Sequence, residues 1–90
     1  MMPITRLLWD PWNVGHIARH EVTMREVQEV CSGTFISRHS YAGRILLVGS
    51  TSDNRILAVV VEPEGDGAYY VVTARPASRR ERRRYQEHIG

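Results

Sequence analysis

The chain contains no lysine, so all twelve of its basic side chains are arginines. It has one cysteine and one phenylalanine. No apolar run approaches the roughly 20 residues that a bilayer-spanning helix requires. Each of these scarcities removes a class of protein. A lone Cys31 can form no internal disulfide and has no CxxC partner, which rules out thiol zinc fingers and suits a reducing compartment, with the thiol as small core filler. The opening "MMPITRLLWD" lacks the basic region and the long apolar stretch of a secretion signal. A soluble, cytoplasmic protein with no membrane partner is therefore expected. There is no GxGxxG, no P-loop, no GxSxG and no paired carboxylates, which counts against nucleotide-dependent enzymes, and no cofactor is expected.

What the chain does have is enough apolar material for one domain across residues 1–90, at 42% hydrophobic composition. Its charge is unevenly placed. Arg75, Arg79, Arg80, Arg82, Arg83 and Arg84 face only Glu81 and Glu87 in the last segment, so a chain of net charge +2 carries more than its whole excess there. The exclusive use of arginine reads either as genome composition or as a preference for bidentate phosphate contacts.

Residues Ile4 to Trp9 have the apolar content of a short strand. Asp10-Pro11 then reads as an N-cap followed by proline at the first helical position. Val14, Ile17 and Ala18 recur at helical spacing up to His20, which leaves His16 and His20 four apart on a neighbouring face. Thr23 and Glu26 have the spacing of a capping box, opening a second helix that turns Val27, Val30 and Cys31 inward and stops near Gly33. "TFISRHS" alternates as an edge strand does. "RILLVGST" and "RILAVVVE" are continuous apolar runs, predicting strands covered on both faces and joined by a hairpin at Ser52-Asp53-Asn54. Pro63 and Gly65-Asp66-Gly67 predict the next turn, and "AYYVVTA" the last strand. Ser78 and Glu81 form a second capping box, so the arginine run belongs to a helix. The expected fold class is α+β: an antiparallel sheet with two N-terminal helices and one C-terminal arginine-rich helix. Three short helices leave apolar sheet surface to cover, which predicts contact with a partner chain, a homo-oligomer included.

On the last helix, positions 78, 81, 82, 85 and 89 share a face, which predicts that Tyr85 and Ile89 anchor it to the sheet. Arg75, Arg79 and Arg82 are candidates for one anion site near the helix start. The bland alternative is a solvated helix face. His16 and His20 have the spacing of a helical metal pair, but Cys31 and His39 are the only further ligands and neither has motif spacing. His20 reads either as a general base beside Arg19 or as a structural helix-end histidine. Glu81 reads as a base or as the acid of its capping box. Tyr85 reads as an orienting group or as core. Trp9 and Trp12 are expected to staple the first turn to the sheet.

The order "WDP…H…RH-x-VT…EV" early and "VVTARPASRRERRRYQE" late resembles the BrnT family of ribonuclease toxins from bacterial type II toxin–antitoxin pairs, over about residues 8–87. The resemblance implies a small RelE-like fold that cuts RNA without a metal, and a ribbon-helix-helix antitoxin as partner. Carried over by position, it places Trp9 and Asp10 at the first turn and Arg82 on the last helix, and makes His20, Arg75, Glu81 and Tyr85 the catalytic candidates; the residues themselves make Arg19, Arg79, Arg82 and Arg83 the candidates for holding RNA phosphates. The chain departs from that pattern at Arg19-His20-Glu21, where the family has lysine-histidine-glycine, and at His16, where it has asparagine. Two other functions fit the same residues: a BrnT-like module that binds RNA or protein and cuts nothing, and a structural homo-oligomer built on an apolar sheet face.

Overall fold

Three side-chain boxes start the three helices. Asp10 accepts from the Asn13 N–H at 2.8 Å while its own N–H donates to Asn13 Oδ1 at 2.9 Å. Thr23 and Glu26 exchange the same pair of bonds, at 3.2 and 3.0 Å. So do Ser78 and Glu81, at 3.1 and 2.8 Å. Each box supplies partners to N–H groups that a helix start leaves free.

The computed structural model describes residues 2–89. In chain order the elements are β1 (Arg6–Leu8), α1 (Pro11–Ala18), α2 (Met24–Ser32), β2 (Phe35–His39), β3 (Ile45–Ser50), β4 (Ile56–Gly65), β5 (Ala68–Pro76) and α3 (Arg79–Ile89), with a short 3-10 turn at Tyr41–Gly43. One five-stranded sheet has the order β1-β5-β4-β3-β2. Strands β2 to β5 form the expected antiparallel meander. The first strand differs: β1 lies parallel to β5, Leu7 opposite Tyr69, and makes the sheet mixed. Gly67 makes that approach possible, because a Cβ there would run into the Thr5 side chain, and its φ of 79° suits glycine. The turn is also tighter than expected. Pro63 is inside β4, past the end of its pairing with β3, where a residue without an N–H is tolerated.

Strand alternation gives the sheet two unlike faces. Leu47, Leu57, Val59, Val61, Val71 and Ala74 point to one, where Ile17, Val22, Val27, Val30 and Cys31 from α1, α2 and their connection bury them. Val48 and Ala58 point to the other, beneath Tyr85 of α3, with Ile36, Leu46, Ile56 and Ala77 around them. Burial pushes the Cys31 thiol up to about 12, which makes it an unreactive core group as expected.

Two positions that the pattern turns inward are exposed. On α1 the buried pair is Asn13 and Ile17, while Ala18 is exposed. Asn13 is tolerated inside because its amide donates to Leu8 O at 3.0 Å and to Val71 O at 3.1 Å, tying α1 to β1 and β5. Ile89 is 51% exposed and does not anchor α3. Trp9 packs against the core as expected, whereas Trp12 is 60% exposed and staples nothing.

Candidate nucleic-acid interface

The arginine run folds into helix α3, and helical spacing sorts its side chains into three rows. Glu81 and Tyr85, four apart, face the sheet. Arg80, Arg84 and His88 line a cavity of about 330 Å³ on the flank toward β2 and β3, over a floor of Ile36, Leu46 and Val48, with Arg38 opposite. Arg79, Arg82 and Arg83 line a more open groove of about 500 Å³ on the other flank, which Arg55 closes from the start of β4. Arg82 thus lies outside the sheet-facing row where the pattern put it, and it is exposed.

Arg75 and Glu81 meet. The guanidinium donates to both carboxylate oxygens, at 2.8 and 3.0 Å. That fork, joined by the Ser78 N–H, outweighs burial and holds the Glu81 carboxyl down at about 2. Arg75 is raised by the same partner. At neutral pH Glu81 is therefore an ionised acid whose lone pairs are engaged, a poor proton acceptor. Tyr85 is buried, and its hydroxyl donates to Thr34 O at 3.3 Å, fastening α3 to the start of β2.

The arginines of α3 are unlike Arg75. Among the described residues, Arg38, Arg79, Arg80, Arg82, Arg83 and Arg84 have no carboxylate within 4.0 Å, whereas Arg25, Arg44, Arg55 and Arg75 each have one. An arginine helix without internal counterions concentrates positive potential on one face and leaves its bidentate donors free for an anion.

His20 and Arg19 lie elsewhere, in the connection after α1, and line neither cavity. The connection is a Schellman turn: Val22 N–H bonds to Ile17 O at 3.1 Å and Glu21 N–H to Ala18 O at 2.9 Å. Such a turn needs one left-handed residue, and here it is Glu21, with φ 59°. The position where a glycine would be cheap keeps the glycine conformation with a glutamate in it. His20 precedes Glu21 and is exposed. Arg55 links this turn to the arginine groove, for it donates to Glu21 O at 2.7 Å and to Glu26 at 3.0 Å. Burial raises the Glu26 carboxyl, but the Thr23 N–H and Arg55 outweigh it and leave it below its ordinary value. Neither Arg55 nor Arg38 stood out in the sequence, since their roles depend on where two strands end relative to α3.

No protein-family model and no curated protein matches the chain. A solved structure does. The crystal structure of the Brucella abortus ribonuclease toxin BrnT superposes with a TM-score of 0.66 at 26% identity, covering 82% of this chain and 97% of that one. The chain is similar in fold to that toxin and divergent from it in sequence. Its five-stranded sheet and three helices are the BrnT-like α+β fold, and the resemblance read from its two terminal motifs agrees with the resemblance in three dimensions. Among the described residues no helix is long and apolar enough to cross a membrane. Among the same residues no three His, Cys, Asp or Glu side chains gather as a metal site would require, and His16 and His20 stay a pair.

Proposed function

We propose that this BrnT-like protein is a ribonuclease toxin that cuts RNA by internal transfer at the 2′-hydroxyl and draws its positive charge from arginine rather than from a metal. The observation that carries the reading is the set of arginines without counterions on α3, on a fold shared with a ribonuclease toxin. Arg79, Arg82 and Arg83 hold the backbone, beside an Arg55 already paired with Glu26, and their guanidinium forks oppose the charge that builds on the phosphate oxygens in the transition state. His20 accepts the 2′-hydroxyl proton; the 2′-oxygen bonds to phosphorus, the bond to the 5′-oxygen breaks, and that oxygen takes a proton from water. A 2′,3′-cyclic phosphate and a 5′-hydroxyl result.

Between the two candidate bases the choice falls on His20, because Arg75 and the Ser78 N–H occupy the Glu81 oxygens and leave that carboxylate little affinity for a proton. Arg75 and Glu81 then set the start of α3, and Arg75 reaches a phosphate only by exchanging Glu81 for it. Tyr85 positions the helix through the sheet. Arg19 adds a phosphate contact next to His20. A partner antitoxin of ribbon-helix-helix type, in the cytoplasm, would silence the toxin by covering the arginine face. One observation favours the second reading, an RNA-binding module that cuts nothing: His20 lines neither groove.

Incubation with mixed RNA in excess EDTA, scored for new cyclic-phosphate ends, separates the two. The toxin reading expects cleavage by the parent and a loss of roughly 100- to 10,000-fold in His20→Ala. RNA that is bound and left intact by the parent would establish the module instead.

A further inference from the structure

Helix α1 carries an outer row of aromatic rings that the fold does not use. Trp12 and His16 are stacked nearly parallel, 8° apart with centroids at 4.9 Å. His16 meets His20 edge-on at 5.6 Å. The row lies at every fourth residue, away from the inward Asn13 and Ile17, so no core packing depends on it. Trp12, at 60% exposure, has one face on His16 and the remainder open. The open face of the indole is a surface on which a further ring can stack.

The row has a direction. It runs from Trp12 on α1 to His20 in the turn that follows, and the residue after His20 is the one whose carbonyl Arg55 clasps. Arg55 in turn lines the groove of Arg79, Arg82 and Arg83. Arg55 thus touches both the turn after His20 and the groove of Arg79, Arg82 and Arg83. Proteins that hold single-stranded nucleic acid combine these two elements: cations that follow the phosphates and rings on which unpaired bases stack.

We infer that Trp12 and His16 form a stacking platform for an unpaired RNA base, which extends the arginine groove along α1 and delivers the adjoining ribose to His20. The inference rests on the RNA reading above and adds to it the single-stranded character of the substrate and a recognition residue, Trp12. His16 is a positioning residue, holding the indole flat from beneath.

Titration of a short 2′-O-methyl oligouridine, which binds without being cut, tests this by tryptophan emission. Quenching of Trp12 on binding is expected, with affinity roughly 5- to 150-fold weaker in Trp12→Ala and largely restored in Trp12→Phe. Since Trp12 is exposed, these variants keep the fold. Binding that Arg82→Ala/Arg83→Ala abolishes, but that leaves emission unquenched and is indifferent to Trp12→Ala, would overturn the platform while sparing the RNA reading. Failure of the parent to bind the oligonucleotide at low salt would overturn both. A dimer that dissociates in Trp12→Ala, with oligonucleotide affinity unchanged, would assign the indole to an interface between copies and overturn the platform too.

Discussion

The two faces of the sheet are built from the same strands and have little else in common. On the face covered by α1 and α2, Leu47, Leu57, Val59, Val61 and Val71 are fully buried and form one continuous core. On the face covered by α3, only Val48, Ala58 and Tyr85 are buried, and open grooves flank the helix on both sides. The first face is closed by hydrophobic contact. The second is held by one tyrosine, a fringe of partly buried apolar side chains, a capping box and the Arg75–Glu81 fork, and five arginines of α3 face water. The contrast separates what keeps the molecule folded from what it offers to a ligand: α3 can carry charge without partners because stability is supplied from the other side.

Neighbouring residues of β3 sharpen that contrast most. Leu47→Ala opens a cavity in the closed core and is expected to cost about 2–5 kcal/mol. Leu46→Ala, one residue away on the groove floor, is expected to cost about 1 kcal/mol, because that side chain is only partly buried. Chemical denaturation of the two variants reads the difference directly. Equal losses would mean that the faces share the load.

Acid should reach the α3 face through Glu81. Its carboxyl is lowered in the folded state to about 2 from an ordinary value of 4.5, so the fork stabilises the protein fully above pH 4.5 and loses that contribution as pH falls toward 2. Glu26 beneath Arg55 acts in the same direction. Glu81→Gln is expected to flatten the acid limb of stability between pH 4.5 and 2, with about 1 kcal/mol lost at neutral pH once solvent at the 40% exposed Arg75 side chain is allowed for. An unchanged acid limb in that variant would remove the fork from the account.

The smallest expected effect tests the turn that carries His20. Glu21 sits at φ 59°, a conformation that costs a residue with a Cβ about 1–2 kcal/mol, against which a glycine loses about 0.5–1 kcal/mol in chain entropy. Glu21→Gly should therefore raise stability by about 0.5–1 kcal/mol, visible as a midpoint a few degrees higher. A loss of stability would show that the glutamate side chain holds the turn by other contacts.

Much of this architecture can be read from local chemistry. The boxes at Thr23–Glu26 and Ser78–Glu81 place two helix starts within a residue, and the unbroken apolar runs at 45–48 and 56–61 announce strands covered on both faces. What could not be read depends on distant partners. β1 runs parallel to β5 because its bonding edge meets residues 68–70, some 60 positions away, which no local period reports. Asn13 looks like a surface residue until Val71 O is brought to its amide. The site is legible in the same measure. The arginine row and its helix follow from spacing, and Arg75 with Glu81 from the cap. Which flank each arginine takes, and the entry of Arg55 between His20's turn and the groove, follow only from the crossing of α3 over β3 and β2.

The central claim is that the arginines of α3 serve RNA and not the fold. Measuring the cleavage rate of single-stranded RNA and the thermal midpoint together, for the parent and for Arg79→Ala/Arg82→Ala/Arg83→Ala, tests it most directly. The account predicts a midpoint within a few degrees of the parent, since these exposed side chains touch no counterion, and a cleavage rate at least tenfold lower. Undiminished cleavage by a folded triple variant, or a collapse of stability in its place, would contradict it.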